Sequence, residues 1–300
     1  MKLEIVVPCY NEEKNIEKFF NEINNVLKDI DFNIIFVNDG SSDNTLEKIK
    51  KLNNVNYISF SRNFGKEAAI YAGLKKTTAD YVILMDADLQ DPPSLIPEMI
   101  EYIDDYDIVA TRRVSRIGEP KIRSFFARKF YTIMNKTTNI ELVDGARDFR
   151  LMKRIVVDAV LDLNENNRFS KGIFQWVGFD TKWIEYENII RNNGETSWSF
   201  WRLVAYSIEG IVSFTVAPLY ISTLVGIIFS IIAFIFILFI VVRTLLFGDP
   251  VSGWPSTISV ILLIGGIQLF SIGILGQYLA KTYIETKNRP KYIIKEDNFE

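Results

Sequence analysis

Two stretches of the chain, Gly210–Val242 and Pro250–Ala280, contain no Asp, Glu, Lys or Arg. No other feature restricts the fold as strongly. A helix needs about 20 apolar residues to cross the hydrocarbon core of a bilayer, where its backbone groups must pair within the segment. Both stretches exceed that length, and Ile227–Val242 holds a single small polar residue, Ser230. Residues 210–281 are therefore expected to form a membrane part with two transmembrane helices, over 218–242 and 255–280. A pair of buried core helices is the alternative. Pro218 suits the start of a span, and Trp198, Phe200 and Trp201 precede it, where aromatic side chains anchor at the interface. The loop between the runs carries only Arg243 and Asp249, whereas Lys281, Lys287, Arg289, Lys291 and Lys295 follow the second run. That asymmetry predicts a cytoplasmic tail over 282–300. Gly266 and Gly273 share a helix face that suits close packing, against the first span or a second protomer, so a homo-oligomer is open.

Residues 1–209 read differently. Leu3–Pro8, Asn33–Asn38, Val55–Phe60 and Asp80–Met85 are short apolar runs of strand length. Asn11–Leu27, Asp43–Leu52 and Lys66–Lys76 separate them with helical spacing, the second capped at Ser42 or Asp43. Strands alternating with helices predict an α/β fold with a mostly parallel, Rossmann-like sheet. Ligands of such sheets bind beyond the carboxyl ends of the strands. Nothing in the opening residues reads as a signal peptide, so this part is expected in the cytoplasm and the whole at the cytoplasmic (inner) membrane, multi-pass, with both termini inside. A net charge of −3 gives no support for nucleic-acid binding. The chain has one cysteine, Cys9, and no histidine, which excludes an internal disulfide and histidine acid–base chemistry. Any metal must then be a hard ion held by oxygen, such as Mg²⁺ or Mn²⁺.

Two acidic motifs lie at predicted strand ends. Asp86-Ala87-Asp88 follows the fourth strand, and its carboxylates can share a divalent ion, directly or through the ion's diphosphate ligand. Gln90 is placed to add a neutral oxygen. A solvated acidic turn is the alternative. Asp39 ends the second strand, where a carboxylate can accept hydrogen bonds from a ribose or base, or simply form an Asp-Gly turn. Residues 121–136 form a third object. Ile122, Phe125, Phe126, Phe130, Ile133 and Met134 make one stripe, flanked by Lys121, Arg123, Arg128, Lys129 and Lys136. A basic amphipathic helix of this kind suits a membrane surface or the outer face of the sheet.

Val6-Val7-Pro8-Cys9-Tyr10-Asn11-Glu12-Glu13, Val37-Asn38-Asp39-Gly40-Ser41-Ser42-Asp43 and Asp86-Ala87-Asp88-Leu89-Gln90-Asp91-Pro92-Pro93 together resemble family 2 glycosyltransferases of the GT-A fold. With the two C-terminal runs, the chain is most similar to the polyprenyl-phosphate branch of that family. The resemblance implies that Pro8, Tyr10, Glu12, Asp39 and Asp86 hold the nucleotide sugar, and that Asp86, Asp88 and Gln90 bind Mg²⁺ or Mn²⁺ and the diphosphate. Asp148, in Asp144-Gly145-Ala146-Arg147-Asp148-Phe149-Arg150, would stand with Asp88 at the reaction centre. Arg112, Arg113, Arg123, Arg128, Arg150 and Arg191 would be candidates for the acceptor phosphate, Arg191 within the loop Arg191–Ser197. The implied reaction is an inverting transfer of one hexosyl unit, from UDP-glucose or UDP-N-acetylglucosamine, to undecaprenyl phosphate, giving a lipid-linked sugar for the cell envelope. A diacylglycerol acceptor and a non-catalytic membrane scaffold are the alternatives. Gln175-Trp176-Val177-Gly178-Phe179 lacks the arginine of the Q-x-x-R-W motif of processive relatives, so a single transfer is expected. The first strand runs into Cys9-Tyr10-Asn11-Glu12 with no glycine-rich phosphate loop, which argues against a nicotinamide dehydrogenase.

Overall fold

A computed structural model of the chain describes residues 2–114, 143–166, 168–187, 215–247 and 253–299, with the single positions 132, 135 and 212. The basic helix expected over 121–136 and the loop at 191–197 lie outside the described residues, apart from positions 132 and 135. The first strands are β1 (Leu3–Cys9), β2 (Phe32–Asn38), β3 (Val55–Phe60) and β4 (Tyr81–Leu84), separated by α1 (Ile16–Val26), α2 (Thr45–Lys50) and α3 (Lys66–Lys76). A short 3-10 turn at Pro93–Leu95 leads into α4 (Ile96–Tyr102), then β5 (Ile108–Arg113), β6 (Ala146–Lys153), α5 (Arg154–Asp162), α6 (Ser170–Trp176) and β7 (Thr181–Tyr186). Two long helices follow, α7 (Ala217–Phe247) and α8 (Trp254–Thr286), and then β8 (Ile294–Asp297).

The strands form one sheet in the order β7-β5-β6-β4-β1-β2-β3-β8. β1 pairs in parallel with β2 and β4, and β2 with β3, whereas β6 runs antiparallel to β4 and β5. This is the mostly parallel α/β arrangement that the alternation predicts. Every residue of β1 is buried, as expected of a strand covered on both faces. Ile16, Phe19 and Ile23 of α1 close one side, with Phe19 edge-on to Phe36 at a centroid distance of 6.0 Å. Burying each such side chain contributes about 1.5–3 kcal/mol.

Two boundaries differ from the sequence expectation for local reasons. α1 begins at Ile16 rather than Asn11, because Asn11 has φ 56°, outside the right-handed helical region. α2 begins at Thr45, and the Asp43 carboxylate takes its backbone N–H at 3.0 Å.

α3 crosses the sheet closely because Gly73 faces it. A Cβ there would stand 2.3 Å from Val6 Cγ1 and 3.0 Å from Val37 Cγ2. Both neighbours are β-branched and stiff, so relief requires moving the helix. Gly73→Ala is expected to lower stability by about 1–3 kcal/mol despite alanine's better helix propensity. A denaturation midpoint equal to that of the parent would show that α3 can shift freely.

The C-terminal residues are not a free tail. Ile294–Asp297 form the edge strand β8, antiparallel to β3. The chain accordingly divides into two compact units, Met1–Ser207 with Asn288–Glu300, and Ile208–Lys287. Sequence alone hides this, because the tail's charges mask a four-residue strand. In the second unit, α7 and α8 have 31 and 33 residues, about 46 and 50 Å at ~1.5 Å per residue. Both are long and apolar enough to cross a membrane. Tyr220, Phe234, Phe239 and Leu269 are each more than half exposed, a surface that suits lipid rather than water.

Candidate active site

The register of β4 against β6 builds the centre of the site. Tyr81 faces Lys153 and Leu84 faces Arg150, each step forward on β4 matching a step back on β6. Continued past the strand end, that register sets Asp86 opposite Asp148. The antiparallel strand thus delivers its first residues to the edge where the parallel strands end. Two carboxylates 62 positions apart in the chain meet there.

Lys66 lies between them. Its ammonium is 2.7 Å from the Asp86 carboxylate and 2.5 Å from Asp148 Oδ2. Sequence reasoning missed this residue. Its only signal is its place at the N-terminus of α3, directly after Asn63-Phe64-Gly65. Burial pushes Asp148 up, but the Lys66 and Lys171 charges outweigh it and hold the carboxyl well below the usual range. Asp86 is raised instead, because burial, Asp148 and Asp88 together exceed the pull of Lys66. Lys66 keeps 44% of its side-chain surface exposed, and the two carboxylates hold it protonated. Asp148 is therefore the firmer anion of the pair. The neighbouring Glu67 turns the other way and accepts the Ser170 N–H at 3.0 Å, capping α6 and tying it to the start of α3.

Asp39 sits where β2 ends, and its backbone N–H bonds to Cys9 O at 2.9 Å. Its carboxylate, almost fully buried, accepts the N–H groups of Phe64 (2.6 Å) and Gly65 (2.9 Å). Burial raises its pKa, and those two N–H groups and Arg62 oppose the rise. Asp39 thus shapes the Ser61–Gly65 loop that presents Lys66. Gly40, at φ 64°, lets the chain pass this loop, since a Cβ there would stand 2.3 Å from the Arg62 carbonyl carbon. Pro8 pairs with Val37 inside the sheet, and Tyr10 is half exposed just beyond β1. The Glu12 backbone N–H donates to Thr45 Oγ1 at 2.8 Å, and its carboxylate accepts Asn15 Nδ2 at 2.6 Å. Asn11 Oδ1 accepts the Ser42 N–H at 2.8 Å, so the loops after β1 and β2 are stitched into one rim.

Asp88 Oδ1 accepts the Gln90 N–H at 3.1 Å, a tight turn in which Leu89 takes φ 55°. Gln90 Oε1 lies 3.4 Å from the Arg147 guanidinium, which also holds Asp91 Oδ1 at 2.8 Å. The Tyr186 hydroxyl donates to the same Asp91 oxygen. Sequence reasoning quoted Asp91 and Arg147 within motifs but missed their pairing, and it missed Tyr186.

The arginines separate. Arg150 is buried, donates to the carbonyls of Asp148 (3.1 Å) and Arg147 (2.8 Å), and stacks on Phe174 at 3.9 Å. Burial brings its pKa down to about 10, with Asp148 and Glu67 opposing. These bonds brace the Arg147–Asp148 turn. Arg112 pairs with Glu185 of β7, and its buried Nε has no partner among the described residues. Arg123, Arg128 and Arg191 lie outside the described residues. Cys9 is buried, and burial pushes its thiol up, which removes it as a nucleophile.

Asp86, Asp88 and Gln90 offer oxygen atoms of the kind that a hard divalent ion takes. The Lys66 ammonium between Asp86 and Asp148 shows that this pocket accommodates positive charge. Among the described residues no three acidic side chains converge as a full ligand shell. An ion here would complete its shell with phosphate oxygens and water, as Mg²⁺ commonly does. The residues fit such an ion.

A family model described as glycosyl transferase family 2 matches residues 4–161. CsbB of Bacillus subtilis is 45% identical to this chain over 99% of it and 92% of its own length. A prophage bactoprenol glucosyl transferase homolog of Escherichia coli is 42% identical, over 98% of this chain and 99% of its own. The SfII prophage-derived bactoprenol glucosyl transferase of Shigella flexneri is 41% identical, over 99% of both. With the family model covering more than half of the chain and these relatives matching almost all of it, the chain belongs to glycosyl transferase family 2 and is a glycosyltransferase.

Proposed function

We propose that this glycosyltransferase moves one hexosyl unit from a UDP-sugar, UDP-glucose before UDP-N-acetylglucosamine, to undecaprenyl phosphate at the cytoplasmic membrane face. The observation that carries the reading is the meeting of Asp86 and Asp148 on Lys66, beyond the carboxyl ends of the parallel strands. That is where such sheets bind nucleotides. Support for a polyprenyl phosphate acceptor comes from the two bactoprenol glucosyl transferase relatives, which match this chain through both apolar helices.

Tyr10 offers a half-exposed ring just beyond β1 for the base, and Pro8, Glu12 and Asp39 would complete the nucleotide-sugar site. Asp86, Asp88 and Gln90 would hold Mg²⁺ or Mn²⁺, which offsets charge on a departing diphosphate. Lys66 adds a protein-borne cation at the same position and orients Asp148. The nucleophile is a phosphate oxygen, already largely anionic at pH 7 with a second pKa near ~6. A strong base is then unnecessary, and Asp148 positions the sugar or acceptor rather than removing a proton. The buried Nε of Arg112 is a donor suited to an acceptor phosphate oxygen. Direct displacement inverts the anomeric configuration.

The same reading assigns residues 210–281 to a membrane hairpin. The chain leaves the sheet-bearing unit before α7 and rejoins it at β8 after α8. An even number of crossings is required for that return, and two helices supply it. A single crossing would strand β8 on the opposite side from β3.

The test is transfer by detergent-purified protein to undecaprenyl phosphate, with a panel of UDP- and GDP-sugars and Mg²⁺ or Mn²⁺, read by mass spectrometry. One added hexose of inverted configuration from a UDP-sugar is expected. Glycosylation of diacylglycerol instead, or a retained configuration, overturns the reading.

A further inference from the structure

The C-terminal segment does more than cover a sheet edge. β8 runs antiparallel to β3, so its first residues lie at the end of β3 that leads into the Ser61–Gly65 loop. The Ser61 N–H, the first of that loop, donates to Ile293 O at 2.9 Å. Tyr292 stacks on Phe60 with centroids 4.9 Å apart and planes 15° from parallel, and Phe60 meets Phe64 edge-on at 5.8 Å. Phe64 and Gly65 then give their N–H groups to Asp39, and the next residue is Lys66. The segment also reaches α3, which Lys66 begins. Tyr292 lies 6.4 Å from the Tyr71 ring, and the Lys291 ammonium lies 4.8 Å from the same ring. Lys291 in turn donates to Asn164 Oδ1 at 2.6 Å.

The other end of β8 makes different contacts. Asn298 accepts the Tyr57 N–H at 2.7 Å and donates to Val55 O at 2.9 Å. Those residues start β3, at the sheet edge away from the donor site. One short strand thus has an end that braces the site and an end that does not.

We propose that residues 291–294 are a positioning element for nucleotide binding, holding the Ser61–Lys66 loop in its binding shape from a segment that emerges from the second apolar helix. Nucleotide occupancy and the docking of the C-terminal segment are then thermodynamically linked. Each must strengthen the other by the same factor. The proposal rests on the nucleotide-sugar reading above.

The experiment uses the full-length protein in detergent micelles with Mg²⁺ or Mn²⁺, and titrates UDP by calorimetry. Tyr292→Ala is expected to weaken UDP binding roughly tenfold, within the usual range of coupling between sites. Asn298→Ala, which loosens the same strand at its far end, is expected to leave UDP affinity within about twofold of the parent, as for an independent site. Hydrogen exchange of the parent is expected to slow at the amides of Ser61 and β8 when UDP is added. Equal loss of affinity in both variants would reduce the segment to general edge stability and overturn the proposal. So would unchanged affinity in Tyr292→Ala with unchanged exchange at β8. Failure of the parent protein itself to bind UDP would instead overturn the choice of nucleotide.

Discussion

Asp148→Asn is expected to lower the rate of sugar transfer on the order of 10²–10³-fold, the usual cost of deleting one preorganised electrostatic group at a reaction centre. The substitution keeps the shape and removes only the charge. What it removes is the firmer anion of the pair on Lys66, a carboxylate held ionised by Lys66 and Lys171. Without it, the ammonium keeps Asp86 alone and is free to turn toward it, away from β6. Two further variants separate a direct role from one exerted through Lys66. If Asp148 acts by aiming Lys66, then Lys66→Met and the double variant should fall by about the same factor as Asp148→Asn, since groups that act as a unit are not additive. If Asp148 also touches sugar or acceptor, the double variant should fall further. A transfer rate near that of the parent in Asp148→Asn, with the denaturation midpoint unchanged, would remove Asp148 from the reaction centre.

That pair also shows where reading the sequence succeeds and where it stops. β1 to β4 were legible because each is a short apolar run bounded by turn residues, and the alternation with helices leaves few topologies open. The acidic motifs were legible because they end those strands. The bridge between Asp86 and Asp148 was not, since it depends on β6 running antiparallel, and periodicity carries no strand direction. Lys66 was hidden for a related reason. A lysine opening a helix reads as solvated, and only Asp39's hold on Phe64 and Gly65 aims it at Asp86 and Asp148. Arg150 shows what a motif leaves out, its surroundings. It belongs to the Asp144–Arg150 motif and lies where β6 still pairs with β4, buried against Phe174, while Asp148, two residues earlier, lies beyond that pairing. β8 was obscured by composition, because Ile294-Lys295-Glu296-Asp297 has a single apolar residue. Its charges are matched across the edge instead, Glu296 with Lys50 at 2.9 Å.

Asp91→Ala is expected to destabilise the sheet-bearing unit by about 3 kcal/mol. Removing one partner of a buried ion pair typically costs about 3–5 kcal/mol, and the lower end applies because Arg147 keeps 24% of its side-chain surface. The Asp91 carboxylate is 1% exposed and joins three segments, the acidic loop after β4, the start of β6 through Arg147 and the end of β7 through Tyr186. Alanine would leave the Tyr186 hydroxyl without this acceptor and the Arg147 guanidinium with only its 3.4 Å contact to Gln90 Oε1. The cost should therefore come from the orphaned partners more than from the lost attraction. Asp91→Ala combined with Arg147→Met tests that, because apolar replacement of a whole buried pair is often neutral. The double variant should recover most of the lost stability in urea denaturation of the detergent-solubilised protein. Transfer should not recover with it, because Arg147 also holds Gln90 beside the Asp86–Asp88 turn. Stability that returns without activity would identify the Asp91–Arg147 pair as a device for placing the acidic loop. A single variant that loses less than about 1 kcal/mol would instead class it with surface bridges, which rarely contribute more.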